Sequence, residues 1–249
     1  MGNAKWTGVR LSDLLKKAGV KEAAIEVSFA GLDEAPWPDT PKFMKSLEYK
    51  KANDGEVMVA YAMNDQPLPM LNGFPLRLVV PGWYATYWVK SLHAINVLPE
   101  KFKSFWMDKA YRIPNNPQGN EDPKNLATDT VPISKHSVRS IFVTPEPGQR
   151  IKAGQATELQ GVAFDYGAGI KQVEVSTDGG KTWANAKLDP EISKYSFRRF
   201  RWSWTPQVKG PAKLMCRATN NDGQGQTTQL WNRSGYMWNV IEPLDVNVI

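Results

Sequence analysis

One cysteine, Cys216, stands in the 249 residues. A single thiol cannot close an internal disulfide. The two histidines, His93 and His136, lie far apart in sequence, which argues against a His/Cys zinc site. No apolar run approaches the ~20 residues that span a bilayer. The opening residues, Met-Gly-Asn-Ala-Lys-Trp, have no apolar signal core. Also missing are the Gly-x-Gly-x-x-Gly fingerprint, a Walker loop and a Gly-x-Ser-x-Gly elbow, which sets aside the common nucleotide and hydrolase chemistries. Charge of one sign is not concentrated either. The net charge is +6, and its only basic cluster is Arg198, Arg199 and Arg201. Nucleic-acid binders gather such charge on one face. A scattered excess favours anionic substrates or acidic partner proteins instead.

What is present suits a soluble chain of one large domain or two modest ones, with 41% hydrophobic and 22% charged residues. Ten tryptophans supply large buried areas or line pockets. Residues 5–19 read as a short strand or turn and then a helix, with Ser12 as N-cap, Leu11, Leu14 and Leu15 as its apolar stripe, and Gly19 as its stop. From Val20 to Ala30 the pattern alternates. Ile25, Val27 and Phe29 face one way and Glu26 and Ser28 the other, predicting a half-buried strand. Residues 31–45 form a Pro-rich loop, and strands are expected over Val57–Met63 and Ile95–Leu98. The aromatic segment Phe102–Ile113 ends at Pro114. Residues 114–134 turn polar and Pro/Asn/Gly-rich, a linker by composition.

Beyond it the texture changes. Strand-like runs recur at Ser140–Val143, Thr157–Ala163, Ile170–Ser176, Phe197–Trp204, Ala212–Thr219 and Trp238–Ile241, separated by turn signals, as in a β-sandwich. Asp178-Gly179-Gly180 predicts a hairpin turn with positive φ, followed by Trp183 as a core anchor. Cys216, in an alternating strand, reads as a small buried hydrophobe.

The stretch around which the chain is organised is Pro67–Lys90. A Pro/Gly loop leads into the apolar run Leu76–Val80, which breaks at Pro81-Gly82 and continues through four aromatics to Lys90. Arg77 is embedded in the apolar run. An unpaired buried guanidinium is very costly, so it needs an anion or a carboxylate. Arg77 and Lys90 together suit a phosphorylated or oxyanionic ligand. Ordinary surface salt bridges are the alternative.

These residues resemble a known family. The run Tyr61–Gly82, with Trp88-Val89-Lys90, Phe105-Trp106-Met107, Ala110-Tyr111-Arg112 and Ala4–Leu15, is similar to the molybdenum-pterin domain of sulfite oxidases and assimilatory nitrate reductases. Ser176–Trp183 and Trp231-Asn232 resemble the family's immunoglobulin-like dimerisation domain. The wording Tyr84–Lys90 and Asn232–Asn239 looks most like bacterial sulfite dehydrogenases. The fold class implied is an α+β partial molybdopterin-binding domain, residues 1–128, followed by an all-β immunoglobulin-like sandwich, residues 129–249.

The resemblance also implies a chemistry. Asn72, Arg77, Trp88, Val89 and Lys90 would contact the molybdopterin and its phosphate. Tyr111 and Arg233 would be catalytic, Tyr111 reaching the substrate and Arg233 helping to bind sulfite. The family reaction is oxidation of sulfite to sulfate at a molybdenum centre, with electrons passed to a haem protein such as a c-type cytochrome. The intact protein would be a periplasmic homodimer joined through its C-terminal domain. In the family a cysteine thiolate holds the molybdenum. It belongs to a preceding half, and Cys216 matches a strand position instead. The chain thus corresponds to the C-terminal part of such an enzyme. Two other readings stay open: a non-catalytic dimerisation and binding module, and the same enzyme class acting on nitrate or a sulfoxide.

Overall fold

The structure, a computed structural model, describes residues 2–35 and 37–249. It divides into two compact units. One runs to Lys135 and adds Asn232–Tyr236; the other comprises His136–Trp231 and Met237–Ile249.

The first unit is built from β1 (Trp6–Arg10), α1 (Leu11–Ala18), β2 (Glu26–Gly31), β3 (Met44–Glu48), α2 (Tyr49–Ala52), β4 (Met58–Met63), β5 (Gln66–Pro67), β6 (Arg77–Val79), β7 (Leu92–Leu98), α3 (Phe105–Asp108), β8 (Arg112–Pro114) and β9 (Thr130–Pro132). One sheet runs β1-β4-β5 with β6 also on β4, a second runs β3-β2-β7, and β8 pairs with β9. A core of Leu11, Leu15, Val27, Phe29, Leu47, Val59, Leu78 and Tyr87 lies between them. Each such buried aliphatic or aromatic side chain contributes ~1.5–3 kcal/mol.

Three expectations are corrected here. Ser12 is not the cap of α1. The helix follows directly from β1, with Arg10 in the N-cap position, and the Leu11 N–H is already satisfied by the Val57 carbonyl at 2.8 Å. Gly19 does end it in a left-handed conformation, φ +69°. β2 is not half-buried. As the central strand it is covered on both faces, and even Glu26 and Ser28 are buried, while Ile25 is exposed. Glu26 is satisfied there by the Phe102 N–H at 2.9 Å. The polar stretch read as a linker is tied back into the unit. β9 pairs with β8, and Asn115 Nδ2 donates to Asp129 at 2.9 Å. In the Pro-rich loop, Pro36 lies outside the described residues.

The second unit holds β10 (Arg139–Thr144), β11 (Arg150–Ile151), β12 (Thr157–Phe164), β13 (Ile170–Ser176), β14 (Ala184–Asn185), β15 (Lys187–Leu188), β16 (Arg198–Trp204), β17 (Gly210–Asn220) and β18 (Pro243–Val248). Two sheets, β10-β12-β16-β15 and β11-β18-β17-β13-β14, share a core of Leu159, Val173, Val175, Phe200, Leu214, Cys216 and Val246. This is a sandwich, as the recurrent short strands require. Gly161 matters for packing, because a Cβ there would lie 2.2 Å from the Phe200 ring. Gly179 and Gly180 take the positive φ the turn needs, 74° and 90°.

Two details differ from expectation. Trp238–Ile241 is not a strand; its one bridge is Thr227 to Val240, and the ladder is made further on by β18 against β17. Trp183 is a half-buried plate rather than a core anchor. The Arg217 guanidinium lies 4.2 Å above its ring and pairs with Glu174 at 2.7 and 3.0 Å.

Cys216 is buried opposite Val175, and burial pushes its thiol up to about 12. A thiol held protonated in a closed core is inert. An aromatic disulfide reagent at pH 8 should leave it untouched in the folded protein and label it fully in denaturant. Rapid native labelling would place it outside the core.

Candidate functional site

The organising stretch folds as a loop clasped onto a strand. Met70–Asn72 makes a single 3-10 turn ended by Gly73 at φ +106°. Glycine is needed there twice over, because a Cβ would lie 2.9 Å from the Lys90 Cβ. The Ser91 N–H donates to the Gly73 carbonyl at 3.1 Å, and Lys90 Nζ donates to the Leu71 carbonyl at 3.0 Å. Lys90 thus keeps an exposed ammonium beside the loop. Val89 accepts the Leu78 N–H at 2.8 Å and turns its side chain into the core, so only its backbone is available to a ligand. The Asn72 side chain makes no hydrogen bond among the described residues; its backbone carbonyl receives Arg77.

Arg77 sits on β6, 9% exposed. Nη1 donates to the Asn72 carbonyl at 2.9 Å and Nη2 to the Trp88 carbonyl at 3.4 Å, while Nε is buried without a partner. The guanidinium lies 4.9 Å from the Trp6 ring and 5.6 Å from the Trp88 ring. No carboxylate among the described residues pairs with it. Burial alone lowers its pKa. Two indoles and two carbonyls hold the head in place, yet none of them neutralises it. The arrangement fits an absent anion.

From Trp88 an aromatic chain leads onward. Its Nε1 donates to the Trp83 carbonyl at 3.2 Å, and the Trp83 ring meets Tyr87 edge-on at 4.9 Å. Tyr87 is buried and donates to the Ile133 carbonyl at 2.5 Å. Over its face, at 4.7 Å, lies Lys45 Nζ, which is also 5.2 Å from the Tyr111 ring.

Tyr111 stands between α3 and β8 in a left-handed backbone conformation, φ +55°. Such a conformation strains a tyrosine and persists because its surroundings fix it. The Tyr111 carbonyl accepts the Ile133 N–H at 2.8 Å. Its ring stacks on Tyr236 at 5.8 Å and 14° and touches Phe43 and Trp106 at 6.3 and 6.0 Å. Its hydroxyl makes no hydrogen bond among the described residues. Arg112, next along, donates to Met107 and Thr130.

The turn Asn232–Tyr236 carries the remaining candidate. Buried Asn232 closes it, donating from Nδ2 to the Tyr236 carbonyl at 2.8 Å and accepting the Tyr236 N–H at 3.0 Å. Arg233 is not a free cation. Nε and Nη2 donate to the Glu121 carboxylate at 3.0 and 2.6 Å, and Nη2 also meets the Ala127 carbonyl at 2.6 Å. The pairing holds the Glu121 carboxyl down at about 2. Among the described residues Nη1 alone is left without a partner. Among the described residues no group of three or more His, Cys, Asp or Glu could hold a metal ion.

Sequence reasoning missed Lys45, Glu121 and Tyr236. For Lys45 a signal existed, since Phe43 and Leu47 flank it two residues either side and place it on an apolar face of β3. Glu121 sits in a polar loop with nothing to mark it. Tyr236 is brought to Tyr111 only by the tertiary fold.

Residues 1–106 match the oxidoreductase molybdopterin-binding domain and residues 130–247 the Mo-co oxidoreductase dimerisation domain. Mitochondrial sulfite oxidase of Homo sapiens is 33% identical, the alignment covering 100% of this chain and 47% of that protein. Sulfite oxidase of Arabidopsis thaliana is 30% identical, covering 95% and 65%. The crystal structure of the sulfane dehydrogenase SoxCD from Paracoccus pantotrophus superposes with a TM-score of 0.83 at 25% identity, covering 98% of this chain and 60% of that one. The chain spans about half the length of the mitochondrial relatives it matches. With both domains matched in order over most of the chain, and sulfite oxidases among its relatives, the chain belongs to the sulfite oxidase family of molybdopterin oxidoreductases.

Proposed function

We propose that this chain is part of a molybdenum-cofactor-dependent enzyme that oxidises sulfite to sulfate and passes the electrons to a haem protein. The observation that carries the reading is Arg77, a buried guanidinium with an orphaned Nε and no carboxylate. A phosphate monoester supplies the missing charge and accepts two parallel N–H bonds. Arg77 would grip the phosphate of the pterin from the wall. Lys90 would close on it from the rim, beside the Asn72 side chain and the Trp88 ring. When bound, the cofactor supplies the two-electron chemistry.

The metal needs a soft ligand that these residues do not offer. Cys216 is buried in the second unit with its thiol held protonated, so the thiolate would come from outside this chain. What this chain brings to the substrate is a hydrogen-bond donor and a cation. Tyr111 has a free hydroxyl on a clamped ring, suited to donate to a sulfite oxygen. Arg233 would use Nη1, the nitrogen Glu121 leaves over, with Glu121 fixing its plane. The second unit would join two copies, and the mature enzyme would work in the periplasm with a c-type cytochrome. No helix of the described residues is long and apolar enough to cross a membrane.

In the whole enzyme, Tyr111→Phe should lower sulfite turnover about 10²-fold, the scale of one transition-state hydrogen bond. Molybdenum and pterin content, measured on the same preparation, should not change. Undiminished turnover takes the catalytic role from Tyr111, and a wild-type enzyme that holds no molybdenum and turns over no sulfite defeats the reading in favour of a non-catalytic dimerisation module.

A further inference from the structure

A second uncompensated cation lies away from Arg77. Lys45 sits in the middle of β3, its side chain 0% exposed. Its Nζ donates to the Trp106 carbonyl at 2.7 Å and has no other hydrogen bond among the described residues. No carboxylate among the described residues pairs with it. The ionisable groups on the elements packed around β3 are Glu26 on β2, Tyr49, Lys50 and Lys51 on α2, Tyr87, Asp108 on α3, and Tyr111 and Arg112 beyond it. Glu26 is turned to the Phe102 N–H, Asp108 to the Ser104 N–H, and Lys51 to Asp54. Only Arg112 acts on the Lys45 charge, and it repels. Burial first and Arg112 second bring the ammonium down to about 8, so it is still mostly charged at pH 7.

A core position would ordinarily hold leucine or methionine, because burying an unpaired charge is costly. What the charge does here follows from what it touches. Its neighbours are the faces of Tyr87 and Tyr111, at 4.7 and 5.2 Å. A cation over an aromatic face fixes the ring and draws electron density from it. A phenol on an electron-poor ring is a stronger hydrogen-bond donor. The Tyr87 hydroxyl is already committed to the Ile133 carbonyl. The Tyr111 hydroxyl is uncommitted, so the influence of Lys45 is left to act through Tyr111.

We propose that Lys45 is a positioning residue for Tyr111, its ammonium holding the ring plane and strengthening the Tyr111 hydroxyl as a donor to a substrate oxyanion. The proposal rests on the role given to Tyr111 above and adds the residue that tunes it.

Two measurements test it. In this chain, labelled with 13Cζ-tyrosine and assigned with Tyr111→Phe, the Tyr111 signal should move with a midpoint near the Lys45 value of about 8 and lose that movement in Lys45→Met. In the whole enzyme, Lys45→Met should reduce kcat/KM for sulfite roughly tenfold, the weight of one weakened charge-assisted hydrogen bond. Lys45→Arg, which keeps the charge, should recover most of the loss. A Tyr111 signal flat between pH 7 and 9 in the wild type overturns the proposal. So does full turnover in Lys45→Met while Tyr111→Phe is impaired, and in that case the Tyr111 role stands. Full turnover in Tyr111→Phe removes both.

Discussion

Methionine in place of Arg77 should leave the first unit folded and strip the enzyme of most of its cofactor. The wild-type guanidinium is taken out of water and given two carbonyls, two indole faces and no counter-charge. The carbonyl bonds and cation–π contacts offset part of the desolvation, with cation–π terms of ~0.5–2 kcal/mol each. The remainder is a deficit that a bound anion would cancel. Methionine keeps the apolar stem packed and removes the deficit, so urea unfolding of the empty chain should shift little or toward greater stability. Hydrogen bonds to a charged partner are worth ~1.5–3 kcal/mol each. Losing the two bonds of the fork, about 3–6 kcal/mol together, should therefore weaken pterin-phosphate retention roughly 10²- to 10⁴-fold. Molybdenum by elemental analysis and released pterin by fluorescence, both after dialysis, read this directly. Arg77→Lys should fall between, because it keeps the charge but neither the fork nor the flat face that lies against Trp6 and Trp88. Cofactor retained in full by Arg77→Met, or a first unit that no longer folds, would show that the arginine serves packing alone.

The reason Arg77 could be picked out of the sequence is that its environment is local. Leu76, Leu78, Val79 and Val80 flank it, and such a run is buried wherever it pairs. Its counterpart Lys90 illustrates the limit of the same reasoning. Its place at the end of an aromatic stretch says nothing of how deep the ammonium lies; the side chain runs across Gly73 and keeps its head exposed. Tyr111 was reached through family resemblance. Its strained backbone and its stack on Tyr236 join segments over a hundred residues apart, which no periodicity records. Arg233 was reached the same way, and the acid that holds it came from an unpatterned loop. Secondary structure failed where one assumption failed. Alternation predicts one wet face, yet β2 is the middle strand of its sheet and is covered on both sides. Near the C-terminus the apolar residues Trp238, Val240 and Ile241 outweigh the quieter alternation of Leu244, Val246 and Val248, which is the one that forms a ladder.

Lys45→Met should be more stable than the wild type at neutral pH, by a margin that closes as the solution is made alkaline. The sign follows from linkage. The folded-state pKa of Lys45, about 8, lies below its ordinary 10.5, so between those values the unfolded chain binds more protons. Wild-type stability at this site therefore rises with pH across that window, and the penalty is fully present below pH 8. At ~1.4 kcal/mol per pH unit, the window corresponds to about 3 kcal/mol. The Tyr87 and Tyr111 faces reduce it, leaving about 2 kcal/mol as the expected change in the gap between variant and wild type from pH 7 to pH 10. Urea unfolding of the two proteins at both pH values isolates the term, because every other titrating group is common to them. Methionine is apolar, unbranched and close in volume, so cavity effects stay small. A variant that is steadier in urea but slower with sulfite would mean the ammonium is kept against stability for the sake of Tyr111. A gap that does not move with pH, or a variant weaker than wild type by 2 kcal/mol at pH 7, would make the bond from Lys45 to the Trp106 carbonyl the reason the lysine is there, a pin for α3 with no bearing on the hydroxyl.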